Sequence, residues 1–148
     1  MSSPFRHLHH ICLVVADIDR TQAYYESNGV APWREYPPLT EYTELEVPDR
    51  EAFLQMRYRV ADLENVQLQL CQPPERDCPQ RRFLDTHGEG VFHLGFEHDL
   101  DGSQALGSAL GLEVLMRGRR PDGSGFVYFD TRGPAGVVLE TRQSPPAP

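Results

Sequence analysis

The sequence predicts an α+β fold built from two copies of one βαβββ module. Three observations predict it: a segment that occurs twice, strands that alternate apolar and polar residues, and turn residues at matching places in each half. The first copy opens with His10-Ile11-Cys12-Leu13-Val14-Val15-Ala16-Asp17-Ile18-Asp19 and runs through a helical stretch to Gly29. The second opens with His93-Leu94-Gly95-Phe96-Glu97-His98-Asp99-Leu100-Asp101 and runs through a helical stretch to Gly111. Each reads as a strand, an Asp-rich helix entry and a helix closed by glycine. An Asp carboxylate accepts the free backbone N–H groups of a first helical turn. Glycine suits the left-handed residue that follows a helix. In the second helix Ala105, Leu106, Ala109 and Leu110 form one apolar stripe.

Strand-like segments follow each helix. In the first half they fall at 42–47, 53–61 and 66–72, and in the second at 113–117, 126–130 and 136–142. Pro37-Pro38, Pro48-Asp49 and Pro121-Asp122-Gly123 mark turns between them. The expected organisation is a single domain over 1–148, with modules at 7–73 and 91–142. A polar linker at 74–90 joins them and holds a short helix near 80–86.

With 148 residues the chain is large enough to bury a core. A formal net charge of -8 argues against nucleic acid as the main partner, since phosphate binding favours a basic surface. Three cysteines without a CxxC pair argue against a disulfide framework or a thiolate zinc site and fit a reducing cytoplasm. Residues 1–10 lack a signal-peptide core, and no apolar run approaches the roughly 20 residues of a membrane span. Residues 144–148 read as a frayed tail.

Side chains alternate across a strand, so residues two apart share a face. Ile11, Leu13 and Val15 form one face of the first strand, leaving His10 and Cys12 on the other. Leu68 and Leu70 likewise oppose Gln67, Gln69 and Cys71. Phe92, Leu94 and Phe96 oppose His93 and Gly95, and Val137 and Leu139 oppose Val138 and Glu140. If the sheet curls, these second faces line a cup in which two imidazoles, an amide oxygen and a carboxylate can converge, which alternation permits without requiring. Such an N2O2 set suits zinc, nickel, cobalt, manganese or iron and not a soft thiolate-type site. Gln67 rivals Gln69 if the register slips by two. Cys12 and Cys71 fill space on the same face. His7, His9, His87 and His98 read as solvated or structural, with His9 pointing away from His10.

The pieces His9-His10-Ile11, Val66-Gln67-Leu68-Gln69-Leu70, Gly90-Val91-Phe92-His93 and Gly136-Val137-Val138-Leu139-Glu140 resemble the methylmalonyl-CoA epimerase and glyoxalase I branch of the vicinal oxygen chelate superfamily. The resemblance extends over about residues 7 to 142. It implies a curved, cup-like mixed sheet around one divalent metal ion held by His10, Gln69, His93 and Glu140. It further implies a homodimer, and a substrate with adjacent oxygens that the metal chelates, stabilising an enolate while a carboxylate moves a proton. That carboxylate is Glu140. The chain departs from the epimerases at Gln55, where they carry a second carboxylate, and at Asp130-Thr131-Arg132, where they carry His-Pro-Lys. An amide cannot shuttle a proton, so these departures imply a different substrate.

Gln55, Arg57 and Tyr128 are candidate substrate contacts. Arg117, Arg119 and Arg120 form either an anion site or a solvated basic loop. The leading expectation is a metal-dependent lyase or isomerase that abstracts a proton next to a chelated carbonyl. A non-haem Fe(II) extradiol-type dioxygenase is the second reading, because His10, His93 and Glu140 alone form a 2-His-1-carboxylate triad. A non-catalytic small-molecule binder of the same fold is the third.

Overall fold

The computed structural model describes residues 3–148. The first module contains β1 (Leu8–Val14), α1 (Ile18–Ser27), β2 (Arg34–Glu35), a 3-10 turn (Leu39–Glu41), β3 (Glu44–Glu46), α2 (Arg50–Leu54), β4 (Arg57–Asp62) and β5 (Gln67–Gln72). The linker carries α3 (Pro79–His87). The second module contains β6 (Gly90–Glu97), α4 (Leu100–Ala109), β7 (Val114–Arg119), β8 (Gly125–Phe129), α5 (Arg132–Ala135) and β9 (Val138–Gln143).

All strands join one mixed sheet in the order β2-β4-β5-β1-β6-β9-β8-β7-β3. Leaving β3 aside, the order is a palindrome of roles. In each module the first strand pairs parallel with the last, β1 with β5 and β6 with β9. The two first strands pair antiparallel with each other and join the halves.

The helices follow from their caps. Asp17 and Asp99 are the N-caps of α1 and α4, and their carboxylates accept from Arg20 N and Gly102 N. Each cap of this kind contributes about 1 kcal/mol. Both helices cover the same side of the sheet, α1 over β4 and β5, α4 over β8 and β9. Beneath α1, Leu13 and Tyr25 pack around Val15, Ile18 and Leu70. Beneath α4, Leu112 and Phe5 pack around Leu100, Val127 and Phe129. The opposite side of the sheet curls around the larger core, which includes Cys12, Val14, Phe53, Cys71, Phe92, Phe126, Tyr128 and Val138. Burying side chains of this size is worth about 1.5–3 kcal/mol each.

Three expectations need correction. The segment read as a strand at 53–61 begins as helix α2, because Asp49 caps it by accepting from Ala52 N and Arg-Glu-Ala-Phe-Leu are helix formers. The strand expected at 42–47 is β3, and it crosses over to extend the second module beside β7. The role expected of it in the first module belongs to the two-residue β2, paired with β4. The tail is anchored at its start, since Ser144 N and Oγ both donate to the Glu97 carboxylate. Among the described residues no helix is long and apolar enough to cross a membrane.

Candidate metal centre

The two central strands bring the two modules' histidines together. In the β1–β6 register His10 lies opposite Gly95 and Cys12 opposite His93. In the parallel pairs Cys12 lies opposite Gln69 and Gly95 opposite Glu140. The two halves are therefore related position for position: His10 to His93, Cys12 to Gly95, and Gln69 to Glu140.

His10, His93 and Glu140 are buried, and their ligand atoms lie within 4.8 Å of one another. The Nε2 atoms of His10 and His93 are 2.9 Å apart. Glu140 Oε2 is 3.2 Å from His10 Nε2 and 2.7 Å from His93 Nε2. In the short contact between the two Nε2 atoms one nitrogen has to be a bare acceptor. Burial disfavours the imidazolium of His93, against the opposing pull of Glu140. Burial also pushes the Glu140 carboxyl up, but the two imidazoles outweigh it and hold it well below the usual carboxylate range. Neutral imidazole and bare carboxylate are the states a metal ligand set requires. This donor set fits a divalent cation of the zinc-to-manganese series.

Gly95 makes the approach possible. A Cβ there would lie 2.0 Å from His10 Cε1 and 2.3 Å from Nε2, so the His10 ring occupies the space a side chain would fill. A glycine within a strand commonly marks such a close approach.

Gln69 is buried and lines the same cavity as His10 and Glu140. Its Nε2 donates to Gln67 Oε1 at 2.7 Å, and Gln67 Nε2 donates to Asp62 Oδ1 at 3.0 Å. The chain of donors fixes the amide and leaves the Gln69 Oε1 atom for another partner. Gln67, the rival in the sequence, thus supports Gln69. Tyr128 also lines the cavity, with its ring centroid 4.8 Å from that of His93.

Gln55 and Arg57 do not reach the cup. Gln55 is the exposed C-cap residue of α2. Arg57 lies on the helix side of β4, 3.5 Å from Asp19 of α1. In the sequence Gln55 and Arg57 alternate with apolar Leu54, Met56 and Tyr58, which puts them on the cup face only if those apolar residues meet the helices. In the structure Tyr58 and Val60 face inward beside Cys71 and Gln69, and the charged residues face α1. Tyr58 is consequently the cup residue of this strand.

His9 is also misplaced by strict alternation. Between Leu8 and His10, β1 advances two residues while β6 advances one. A bulge of this kind breaks the two-residue period. His9 Nδ1 thereby comes within 2.8 Å of His10 Nδ1, and His9 Nε2 accepts from Arg142. Burial, Arg142 and His10 together lower the His9 imidazole to about 4.

The residues that close the cup were not singled out in the sequence. Tyr36, Leu39 and Tyr42 come from the crossover between β2 and β3, and Phe53 comes from α2. Tyr42 and Phe126, both buried, meet edge to face with ring centroids 5.0 Å apart. The remaining cavity of about 30 Å³ holds little more than an ion and its waters. The signal available was the aromatic spacing Tyr36, Tyr42 and Phe53 around the proline turns, which alternation does not interpret.

Three solved structures illustrate the fold similarity. Methylmalonyl-CoA epimerase from Mycobacterium tuberculosis shares 22% identity, with a TM-score of 0.69 over 100% of this chain and 93% of that one. Streptomyces coelicolor methylmalonyl-CoA epimerase in complex with 2-nitronate-propionyl-CoA shares 24%, with a TM-score of 0.69 over 95% of this chain and 98% of that one. A hypothetical protein from Bacillus halodurans C-125 shares 15%, with a TM-score of 0.68 over 95% of this chain and 96% of that one. No curated protein sequence matches significantly. A family model spans residues 9–129, which include His10, Gln69 and His93. The chain belongs to the glyoxalase/bleomycin resistance protein/dioxygenase superfamily.

Proposed function

We propose that the protein is a metal-dependent isomerase or lyase that moves a proton at a carbon next to a carbonyl. The observation that carries this reading is the buried convergence of His10 from one side of the β1–β6 seam with His93 and Glu140 from the other. His10, Gln69, His93 and Glu140 would hold one divalent ion, which supplies positive charge to the oxyanion that develops on a substrate carbonyl. Glu140 is the proton acceptor: among the described residues it is the sole carboxylate lining the cup, and its bare form is favoured by the flanking imidazoles. Tyr58 and Tyr128 form an aromatic wall that keeps bulk water from the reacting carbon. Similarity to epimerases supports an isomerase, and one of those neighbours was solved with methylmalonyl-CoA.

Elemental analysis of protein purified without added metal comes first. Exchange of the substrate α-proton into deuterated water then tests the reaction on acyl thioesters, methylmalonyl-CoA among them, and on small oxo and hydroxy acids. Glu140→Gln is expected to lose exchange by at least about 100-fold, within the usual range for a general base. Wild-type turnover in that variant with metal retained removes the assignment.

The extradiol-type dioxygenase reading keeps one observation in its favour. His10, His93 and Glu140 by themselves form a 2-His-1-carboxylate group. Oxygen uptake with Fe(II) and a catechol separates it from proton transfer.

A further inference from the structure

We propose that a second cavity beside the metal centre is an oxyanion subsite, gripped by Arg120 and Arg142. This cavity measures about 230 Å³ and shares two wall residues, Tyr36 and Arg142, with the cup that holds His10 and Glu140. The two spaces are therefore neighbours across a common wall.

The structure separates the three arginines of the 117–120 segment. Arg117 and Arg119 share a face of β7 and are committed on the helix side, Arg117 to Glu46 and Gln104 and Arg119 to Asp101. Arg120 follows on the opposite side and turns towards the cup. Its side chain is 9% exposed. The guanidinium lies 4.2 Å from the ring centroid of Tyr42 and 5.7 Å from that of Tyr36. Its polar partners are neutral hydroxyls, Ser124 Oγ at 3.3 Å and Tyr36 Oη at 3.5 Å. Its Nε is buried with no hydrogen-bond partner. Glu41, half exposed, lies 3.4 Å from it as an ion pair without hydrogen-bond alignment. A buried cation with an unused donor favours an anion that can complete it.

Arg142 is two residues beyond Glu140 on the same face of β9, and His9, Glu97 and Ser144 hold its guanidinium in place. Of the other charged groups on this wall, Arg34 is tied to Asp62, and Asp122 accepts from Ser124 N and Oγ. Gln67 adds a neutral amide. The volume suits a carboxylate on a few carbons or a single phosphate, and it is below the range usual for larger ligands. The substrate that fits both spaces is an acid or phosphorylated compound, with adjacent oxygens at Glu140 and an oxyanion at Arg120. That extension to the substrate rests on the proposed metal chemistry, whereas the anion subsite does not.

The test therefore uses the full chain stripped of metal. Malonate and, separately, inorganic phosphate are titrated into 15N-labelled protein, and amide and arginine side-chain shifts are followed. Saturable binding is expected, with shifts centred on Tyr36, Gln67, Arg120 and Arg142. Arg120→Gln is expected to weaken it at least tenfold, and the exposed control Arg82→Gln to leave it unchanged. Should Arg120→Gln fail to fold, Arg120→Lys keeps the charge and loses the fork, with an expected loss of severalfold. Tighter malonate identifies a carboxylate as the anion and tighter phosphate a phosphoryl group, each in support. Absence of saturable binding by either anion, shifts that map elsewhere, or equal binding by the Arg120 variants overturns the subsite. Adding zinc to the same samples separates the two readings: anion binding without metal uptake leaves the subsite standing and removes the metal chemistry.

Discussion

Replacing Gly95 by alanine tests the centre at its tightest point. The added Cβ would lie 2.0, 2.3 and 2.5 Å from Cε1, Nε2 and Nδ1 of His10. Carbon atoms in ordinary contact stand about 3.5–4.0 Å apart, so the ring has to retreat by roughly 1.5 Å or the strands have to part. Ligand distances in a working metal site hold to about 0.2 Å, so the retreat takes His10 out of the set. Overpacking of this kind costs about 1–3 kcal/mol. At about 2–4 °C per kcal/mol for a chain of this length, the metal-free Tm falls by about 2–12 °C. Disturbing a group that merely orients a ligand costs about 10–100-fold in metal affinity, so loss of the ligand itself is expected to exceed that range. Competition with a chelator measures the affinity, and calorimetry with and without metal measures the Tm. Gly133→Ala is the control, because its Cβ meets nothing within 4 Å. A Gly95→Ala protein that binds zinc as tightly as wild type and melts within about 1 °C of it would refute the argument, since the His10 ring could not then lie where the register places it.

Two further outcomes follow from the same geometry. Gln69→Ala is expected to lower metal affinity by more than about 100-fold, and Gln67→Ala by about 10–100-fold, because Gln67 would act on the metal only by fixing the Gln69 amide; equal losses, or none, in a chelator titration would remove Gln69 from the ligand set. In the metal-free protein the folded pKa of His9 is lowered to about 4 from an unfolded value of 6.5. The unfolded chain therefore binds the extra proton first, and stability falls as pH drops from 6.5 towards 4. Glu140 then adds a loss of its own as pH falls below its unfolded value of 4.5, since its folded pKa is depressed. Urea midpoints at pH 7, 5.5 and 4.5 measure the decline, and His9→Gln is expected to flatten its upper part. Identical slopes in the two proteins would show that the His9 environment is not the cause.

Alternation made the cup face legible because the central strands are buried on both sides. In β1, β5, β6 and β9 one face meets the helices and the other meets the cup, so the two-residue period has a physical partner at each position. The period misleads where one partner is solvent or where a strand is irregular. At β4 the outward face is charged and only partly covered by α1, so polarity pointed the wrong way for Arg57 and concealed Tyr58. At His9 a bulge removed the period altogether. The crossover that carries Tyr36 and Tyr42 has no period to read, since its position is set by β3 pairing in the other module.

A second signal was present in the repeat and carries more than alternation does. Each candidate ligand histidine is followed two residues later by a small residue, His10 by Cys12 and His93 by Gly95. The register explains the spacing. The strands run antiparallel about a local twofold axis, so the residue after next in one module faces the histidine of the other. Each module thus needs a small side chain where its neighbour's imidazole crosses the seam. The same symmetry pairs Gln69 with Glu140, through Cys12 and Gly95 respectively. It gives the site one carboxylate instead of two. Two acids facing each other without a cation would each resist ionisation, and the amide at Gln69 avoids that while keeping an oxygen at the matching place. On the proposed chemistry the asymmetry would confine proton transfer to the second module, which makes Glu140→Gln, isosteric and uncharged, the substitution that tests it.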